Sequence, residues 1–278
     1  MGASAAFSAP MCRALIATSA LVVLSACPSQ SSVTFDAAPI NGTATAAAWP
    51  PIRKPTPFVS TTVAGQARVE EAAKKEPIVR AMFASAGVSY PPSQLLLRVF
   101  KQENLLEEWA ASIDHGPLTL VTTYEICASS GDLGPKRRQG DKQVPEGFYN
   151  VDFFHPKSAF FLALRINYPN DADRVLGDKQ HLGSAIMIHG NCVSIGCLAM
   201  SDQRIAEIWV AATAVHDRDR PVNVHIFPTR KMDELQKKQG DEHRVFWRNI
   251  KQGFDLFERN HRLPKVSVAR DGAYRFKQ

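Results

Sequence analysis

A histidine and a cysteine stand eight residues apart in the stretch from Ile186 to Asp202: His189 ends an apolar, strand-like run, and Cys197 follows Gly196 just before a helix-like start. Together they suit nucleophilic acyl transfer. A thiol of ordinary pKa is only about 3% ionised at pH 7, so a reactive cysteine needs a neighbour that takes its proton. An unperturbed imidazole has a pKa near neutrality, which fits His189 to accept that proton and later return one to a leaving amine. Gly196 lets the backbone approach a reacting carbonyl, making its amide and that of Cys197 candidate oxyanion donors. Ser194 is placed either to hydrogen-bond near His189 or to shape the turn. Gly190 is expected to give backbone clearance, and Asp202 to cap the next helix. The competing reading is a small buried thiol beside a satisfied core histidine.

Around this pair the period is mostly that of strands. Residues 95–100 and 105–110 read as a hairpin joined by Lys101-Gln102-Glu103-Asn104, and residues 118–127 as a third strand with Leu118, Leu120, Thr122, Tyr124 and Ile126 on one face. A glycine- and charge-rich loop covers 129–145, followed by strands over 149–154, 160–167 and 185–189. After Asp202, the spacing of Ile205, Ile208, Trp209, Ala212 and Val215 predicts a helix, then a strand at 221–227. A further helix from Met232 or Asp241 to Glu258 carries Val245, Phe246, Ile250, Phe254 and Phe257 as core. Upstream, residues 64–86 read as helix broken or restarted at Pro77. The fold class expected is mainly β, a mixed sheet or sandwich with peripheral and C-terminal helices. There is no internal repeat, no P-loop and no paired cysteines at zinc spacing, so neither metal nor cofactor is expected.

The first thirty residues bear on compartment. An uncharged run from Ala14 to Leu24 follows Arg13 and is too short to span a bilayer comfortably, which takes roughly 20 apolar residues. It closes with Leu24-Ser25-Ala26-Cys27, a pattern resembling the bacterial lipobox, so Cys27 is expected to carry a lipid that holds the chain to a membrane. Pro28, rather than Asp, follows that cysteine, which favours the outer membrane of a Gram-negative cell, facing the periplasm. Residues 28–57 are rich in Ala, Pro, Ser and Thr and read as a tether. The formal charge of +6 becomes +5 once residues 1–26, with Arg13, are removed. That excess suits an anionic polymer or merely solubility; export and the lack of a binding motif argue against nucleic acid.

Several segments carry a resemblance. His189-Gly190 is followed by Ser194-Ile195-Gly196-Cys197, and the string continues as Leu198-Ala199-Met200-Ser201-Asp202. Leu133-Gly134-Pro135-Lys136 with Gly140-Asp141, and Pro145-Glu146-Gly147-Phe148-Tyr149, precede it. These resemble the L,D-transpeptidases of the YkuD type, most closely the YafK-like branch, from about residue 95 to about 258. The wider family has a second histidine where this chain has Ile195. In the YafK-like branch that replacement is usual, so base chemistry would rest on His189 alone.

The resemblance implies a β-rich catalytic domain acting on peptidoglycan stem peptides. Cys197 would attack the carbonyl of the stem diaminoacid to give an acyl-enzyme. An amine acceptor then gives a cross-link or a protein attachment, and water gives release of a wall-linked outer-membrane lipoprotein. The alternative is a non-catalytic peptidoglycan-binding lipoprotein tethering outer membrane to wall. The organisation expected is a signal peptide at 1–26, a tether at 27–60, a helical segment at 61–92, the catalytic domain at 93–228, and a helical extension and tail at 229–278. Lys136, Arg137 and Arg138 in the long loop are candidate ligands for substrate carboxylates, for which the arginine fork is suited. Cys127 and Cys192 pair with each other, stay separate, or yield to a Cys192–Cys197 bridge that silences the nucleophile; an oxidising compartment permits each.

Overall fold

The computed structural model describes residues 62–237 and 242–278. The expected signal peptide, Cys27 and the whole of the tether lie outside the described residues. Two short helices open the described chain, α1 (Val63–Ala73) and α2 (Glu76–Ser85). Pro77 sits in the first turn of α2, where its missing N–H has no intrahelical partner to lose, so it starts a helix instead of breaking one. Then come β1 (Gln94–Phe100), β2 (Leu105–Ala111), β3 (Thr119–Glu125), β4 (Gly147–His155), β5 (Ala163–Ile166), α3 (Asp171–Leu176), β6 (Met187–His189) and β7 (Leu198–Ala199). The chain closes with α4 (Asp202–His216), β8 (Val222–Phe227), α5 (Met232–Lys237), α6 (Arg244–Asn260), β9 (Lys265–Val268) and β10 (Tyr274–Lys277).

Eight strands form one mixed sheet in the order β3-β2-β1-β8-β4-β5-β6-β7, with the helices outside it, which is the mainly β architecture expected. Alternation along β1 decides what packs where. Leu95, Leu97 and Val99 join the cluster that holds Val79 and Phe83 of α2 and Ile205, Ile208 and Trp209 of α4. Leu96 and Phe100 face the other way, toward Phe257 and Phe254 of α6. Covered on both sides, β1 and β8 are buried almost throughout and pair in parallel.

Three expectations change. Leu120 is 39% exposed, away from the face of Tyr124, because Thr122 pairs with Glu108 and Leu120 with Trp109, leaving Val121 as an extra residue. Such a bulge reverses the parity of side chains on either side of it. Val245, expected in the core, is 75% exposed, since the apolar stripe of α6 runs through Trp247, Ile250, Phe254 and Phe257. The tail is not purely helical: β9 and β10 form a separate antiparallel pair whose Tyr274 and Phe276 pack on Phe148.

Candidate active site

Strand β6 ends at His189, and the loop from 190 to 197 returns the chain to β7, which lies parallel to β6 with Ile188 opposite Leu198 and His189 opposite Ala199. Extending that register by one residue sets Cys197 beside Met187, on the face His189 also uses, since side chains two apart on a strand share a face. His189 is buried, and its Nδ1 lies 2.7 Å from the Gly190 carbonyl oxygen. A carbonyl only accepts, so Nδ1 carries the hydrogen and donates it, leaving the Nε2 lone pair for a proton. The Phe160 ring covers the imidazole, with centroids 4.7 Å apart. Burial pushes the His189 pKa below its ordinary value, partly offset by the bond to Gly190.

Cys197 is the free cysteine among the described residues. Burial pushes its pKa up, opposed by a backbone hydrogen bond at Met187 and by the Lys136 cation. Both shifts favour the uncharged forms, the thiol and the neutral imidazole.

The loop between them is fastened at several points. Cys127 and Cys192 form a disulfide with Cα atoms 5.3 Å apart, which selects one of the three expected arrangements and leaves Cys197 unbridged. The clearance expected at Gly190 is filled by the protein's own packing: a Cβ there would lie 2.5 Å from Asp202 Oδ1 and 2.9 Å from the Phe160 carbonyl oxygen. Asp202 is not the helix cap. Ser201 accepts from the Arg204 amide in that role, while Asp202 Oδ1 accepts from the Asn191 amide at 2.8 Å and holds the loop.

Both candidate oxyanion donors have acceptors. The Gly196 amide donates to Ser130 Oγ at 2.6 Å, and the Cys197 amide to Ser194 Oγ at 2.9 Å, while Ser194 Oγ donates to the Cys197 carbonyl at 2.6 Å. Ser194 thus shapes the turn around Cys197; no hydrogen bond joins its side chain to His189. Gly196 has φ +89°, a left-handed conformation that L side chains rarely adopt.

The three loop cations separate. Lys136 is turned inward, its Nζ 2.5 Å from Asp141 Oδ1 and 2.9 Å from the Arg138 carbonyl, and its cation opposes the rise of the Cys197 pKa. Arg137 packs 4.7 Å over the Phe246 ring and 4.0 Å from Asp173. Arg138 alone of the three has an exposed side chain. Ser130, Phe160 and Asp141 were not singled out by the sequence as functional; Ser130 and Phe160 become neighbours of the site through pairings 66 and 29 residues apart in the chain, which leave no local pattern. A polar cleft of about 270 Å³ lies on the far side of Ser130, lined by Lys101, Asn104, Ser129 and Asp132, and includes neither Cys197 nor His189. Among the described residues no group of three or more His, Cys, Asp or Glu could hold a metal ion, and no helix is long and apolar enough to cross a membrane.

A mixed sheet thus sets a free thiol and a tautomer-fixed imidazole on one face at its edge. Residues 92–226 match the L,D-transpeptidase catalytic domain family, YkuD, and the chain belongs to that family of peptidoglycan transpeptidases. It is 39% identical over 186 residues to the Escherichia coli (strain K12) protein named "Putative L,D-transpeptidase YafK", covering 66% of this chain and 73% of that one; the protein of the same name from Escherichia coli O157:H7 matches equally. Among solved structures, the helical cell shape determining protein Pgp2 (K307A mutant) of Campylobacter jejuni shares 19% identity at a TM-score of 0.41, with 55% of each chain covered. Bd1075 of Bdellovibrio bacteriovorus shares 20% identity at a TM-score of 0.35, over 62% of this chain and 59% of that one. Likenesses this distant bear on no functional point.

Proposed function

We propose that this protein is a periplasmic, lipid-anchored cysteine enzyme that acts on the diaminoacid of peptidoglycan stem peptides. The Cys197 sulfur attacks the diaminoacid carbonyl as Nε2 of His189 takes the thiol proton. The resulting tetrahedral oxyanion collapses, the carbon–nitrogen bond breaks, and the proton held on His189 passes to the leaving amine. A thioester remains on Cys197. A second amine, or water, then attacks the thioester, giving up a proton to His189 while the sulfur leaves and is reprotonated. With an amine the product is a cross-link or an attached protein; with water it is the free diaminoacid carboxylate, and where the amine expelled in the first step is the lysine of a wall-linked lipoprotein, that lipoprotein is released.

The observation that carries this reading is the commitment of His189 Nδ1 to the Gly190 carbonyl, which leaves Nε2 as acceptor on the face shared with the free thiol. The oxyanion would take the Gly196 and Cys197 amides from the serine hydroxyls that hold them at rest. Removing one such donor costs about 2.7–4 kcal/mol in comparable enzymes.

Incubation with purified wall sacculi, followed by mass analysis of soluble and digested products, tests the reading. New diaminoacid-to-diaminoacid bridges support transpeptidation, and freed protein ending in lysine supports the hydrolytic route. Binding with no covalent change contradicts catalysis and leaves a wall tether.

A further inference from the structure

The cover over His189 is fastened from outside the matched catalytic domain. Arg68 lies on α1, upstream of residues 92–226, and its Nη1 donates to three backbone carbonyls in the connection between β4 and β5: Pro156 at 3.3 Å, Phe161 at 2.8 Å, and Ser158. The same connection serves the site directly. The Phe160 carbonyl accepts from the Gly190 amide at 3.0 Å, the Leu162 carbonyl accepts from it at 3.2 Å, and the Phe160 ring lies on the imidazole. Within the connection, Ser158 Oγ accepts from the Phe160 amide at 3.0 Å, and Phe161 holds a left-handed φ of +67°. A non-glycine residue in that region persists only where its surroundings hold it.

We propose that Arg68 is a positioning residue for His189, fixing through the 156–162 connection the Phe160 ring and carbonyl that hold the imidazole and the Gly190 backbone in place. The inference rests on the reading of His189 as the base. Without the guanidinium, three carbonyls lose a shared donor, the connection relaxes, and the ring no longer restricts rotation of the imidazole. A misplaced base slows the chemical step more than it weakens binding of substrate.

The test uses the full chain with Arg68→Met, Arg68→Lys, Phe160→Ala and the double variant Arg68→Met/Phe160→Ala. On stem-peptide substrate, Arg68→Met is expected to lower kcat by about tenfold and to leave KM within about twofold. Since one nitrogen makes all three bonds, a lysine ammonium with three donors should restore kcat to within about threefold of the parent. The double variant should be no slower than the slower single one, because both act through one path. A second readout needs no substrate: the rate of Cys197 alkylation by iodoacetamide across pH 5 to 9, located by peptide mass mapping. Arg68→Met and Phe160→Ala should change that profile alike, and Arg68→Lys should not. If the parent leaves sacculi unaltered but this alkylation pattern appears, the proposed activity fails and the positioning role stands. A lowered melting temperature with kcat and alkylation profile unchanged would overturn the role, as would multiplicative losses in the double variant.

Discussion

Two lysine–carboxylate pairs knit the loop between β3 and β4, one in the core and one near Cys197, and they differ in how completely they are satisfied. Lys101 Nζ donates to Glu146 Oε1 at 3.0 Å and to the carbonyls of Gly134 and Val144 at 2.7 and 3.0 Å. Glu146 also accepts from the Gly134 amide and from Trp247 Nε1, each at 2.7 Å. Three ammonium donors are thus matched by three acceptors, as a buried charge needs. Lys136 spends two donors, on Asp141 and on the Arg138 carbonyl, and its charge reaches Cys197. Asp141 gathers the amides of Arg137, Arg138 and Gln143, so it holds the turn with or without the lysine. The core pair fixes where the loop runs; the outer pair leaves a charge with work to do at the sulfur.

Glu146→Ala should break the comparison most severely. Removing one partner of a buried pair strands the other and costs about 3–5 kcal/mol. For a chain of this size the melting temperature should fall on the order of 10 °C, measured by thermal circular dichroism. A shift of only a degree or two would put the core pair in the same class as the outer one. Lys136→Met is expected to act on the chemistry instead: slower alkylation of Cys197 at pH 8 by several-fold, on the order of 1 kcal/mol, with the fold retained by Asp141 and its three amides. Equal alkylation rates would deny the lysine any influence on the thiol. The smallest effect concerns pH. Because burial lowers the His189 pKa, the neutral base persists to lower pH than an ordinary imidazole would allow, and the acid limb of kcat/KM should fall below pH 6.5. A limb above that value would mean that the imidazole is not held as described.

What the sequence reveals follows from the range of the interactions. The strand character of residues 95–100 and 105–110 is local and was readable, as were the helical stripe after Asp202 and the His189-to-Cys197 motif with its resemblance. The bulge at Val121 is a property of pairing with β2 and cannot be read from either strand alone. Leu120 was placed on the face of Tyr124, and Val245 in the core, from local spacing alone, and tertiary context moved both outward. The candidate site was legible in its two reacting residues and much less in what surrounds them. Ser130 meets Gly196 across 66 residues, Trp247 meets Glu146 across 101, and Arg68 meets Phe161 across 93. Lys136 was visible as a cation but not as one turned inward, since Asp141 captures it only once the turn has formed. The cysteine content left three arrangements open, and proximity of Cys127 and Cys192 selects one.

The central claim is that Cys197 carries the acyl group, and trapping that species tests it most directly. Intact-protein mass spectrometry after brief acid-quenched incubation with a soluble stem peptide, followed by peptide mapping, should show the acyl mass on Cys197 in the parent and no adduct in Cys197→Ala. Because the nucleophile and base act as a unit, His189→Ala should accumulate the adduct far more slowly. An adduct elsewhere, or turnover retained by Cys197→Ala, would contradict the account.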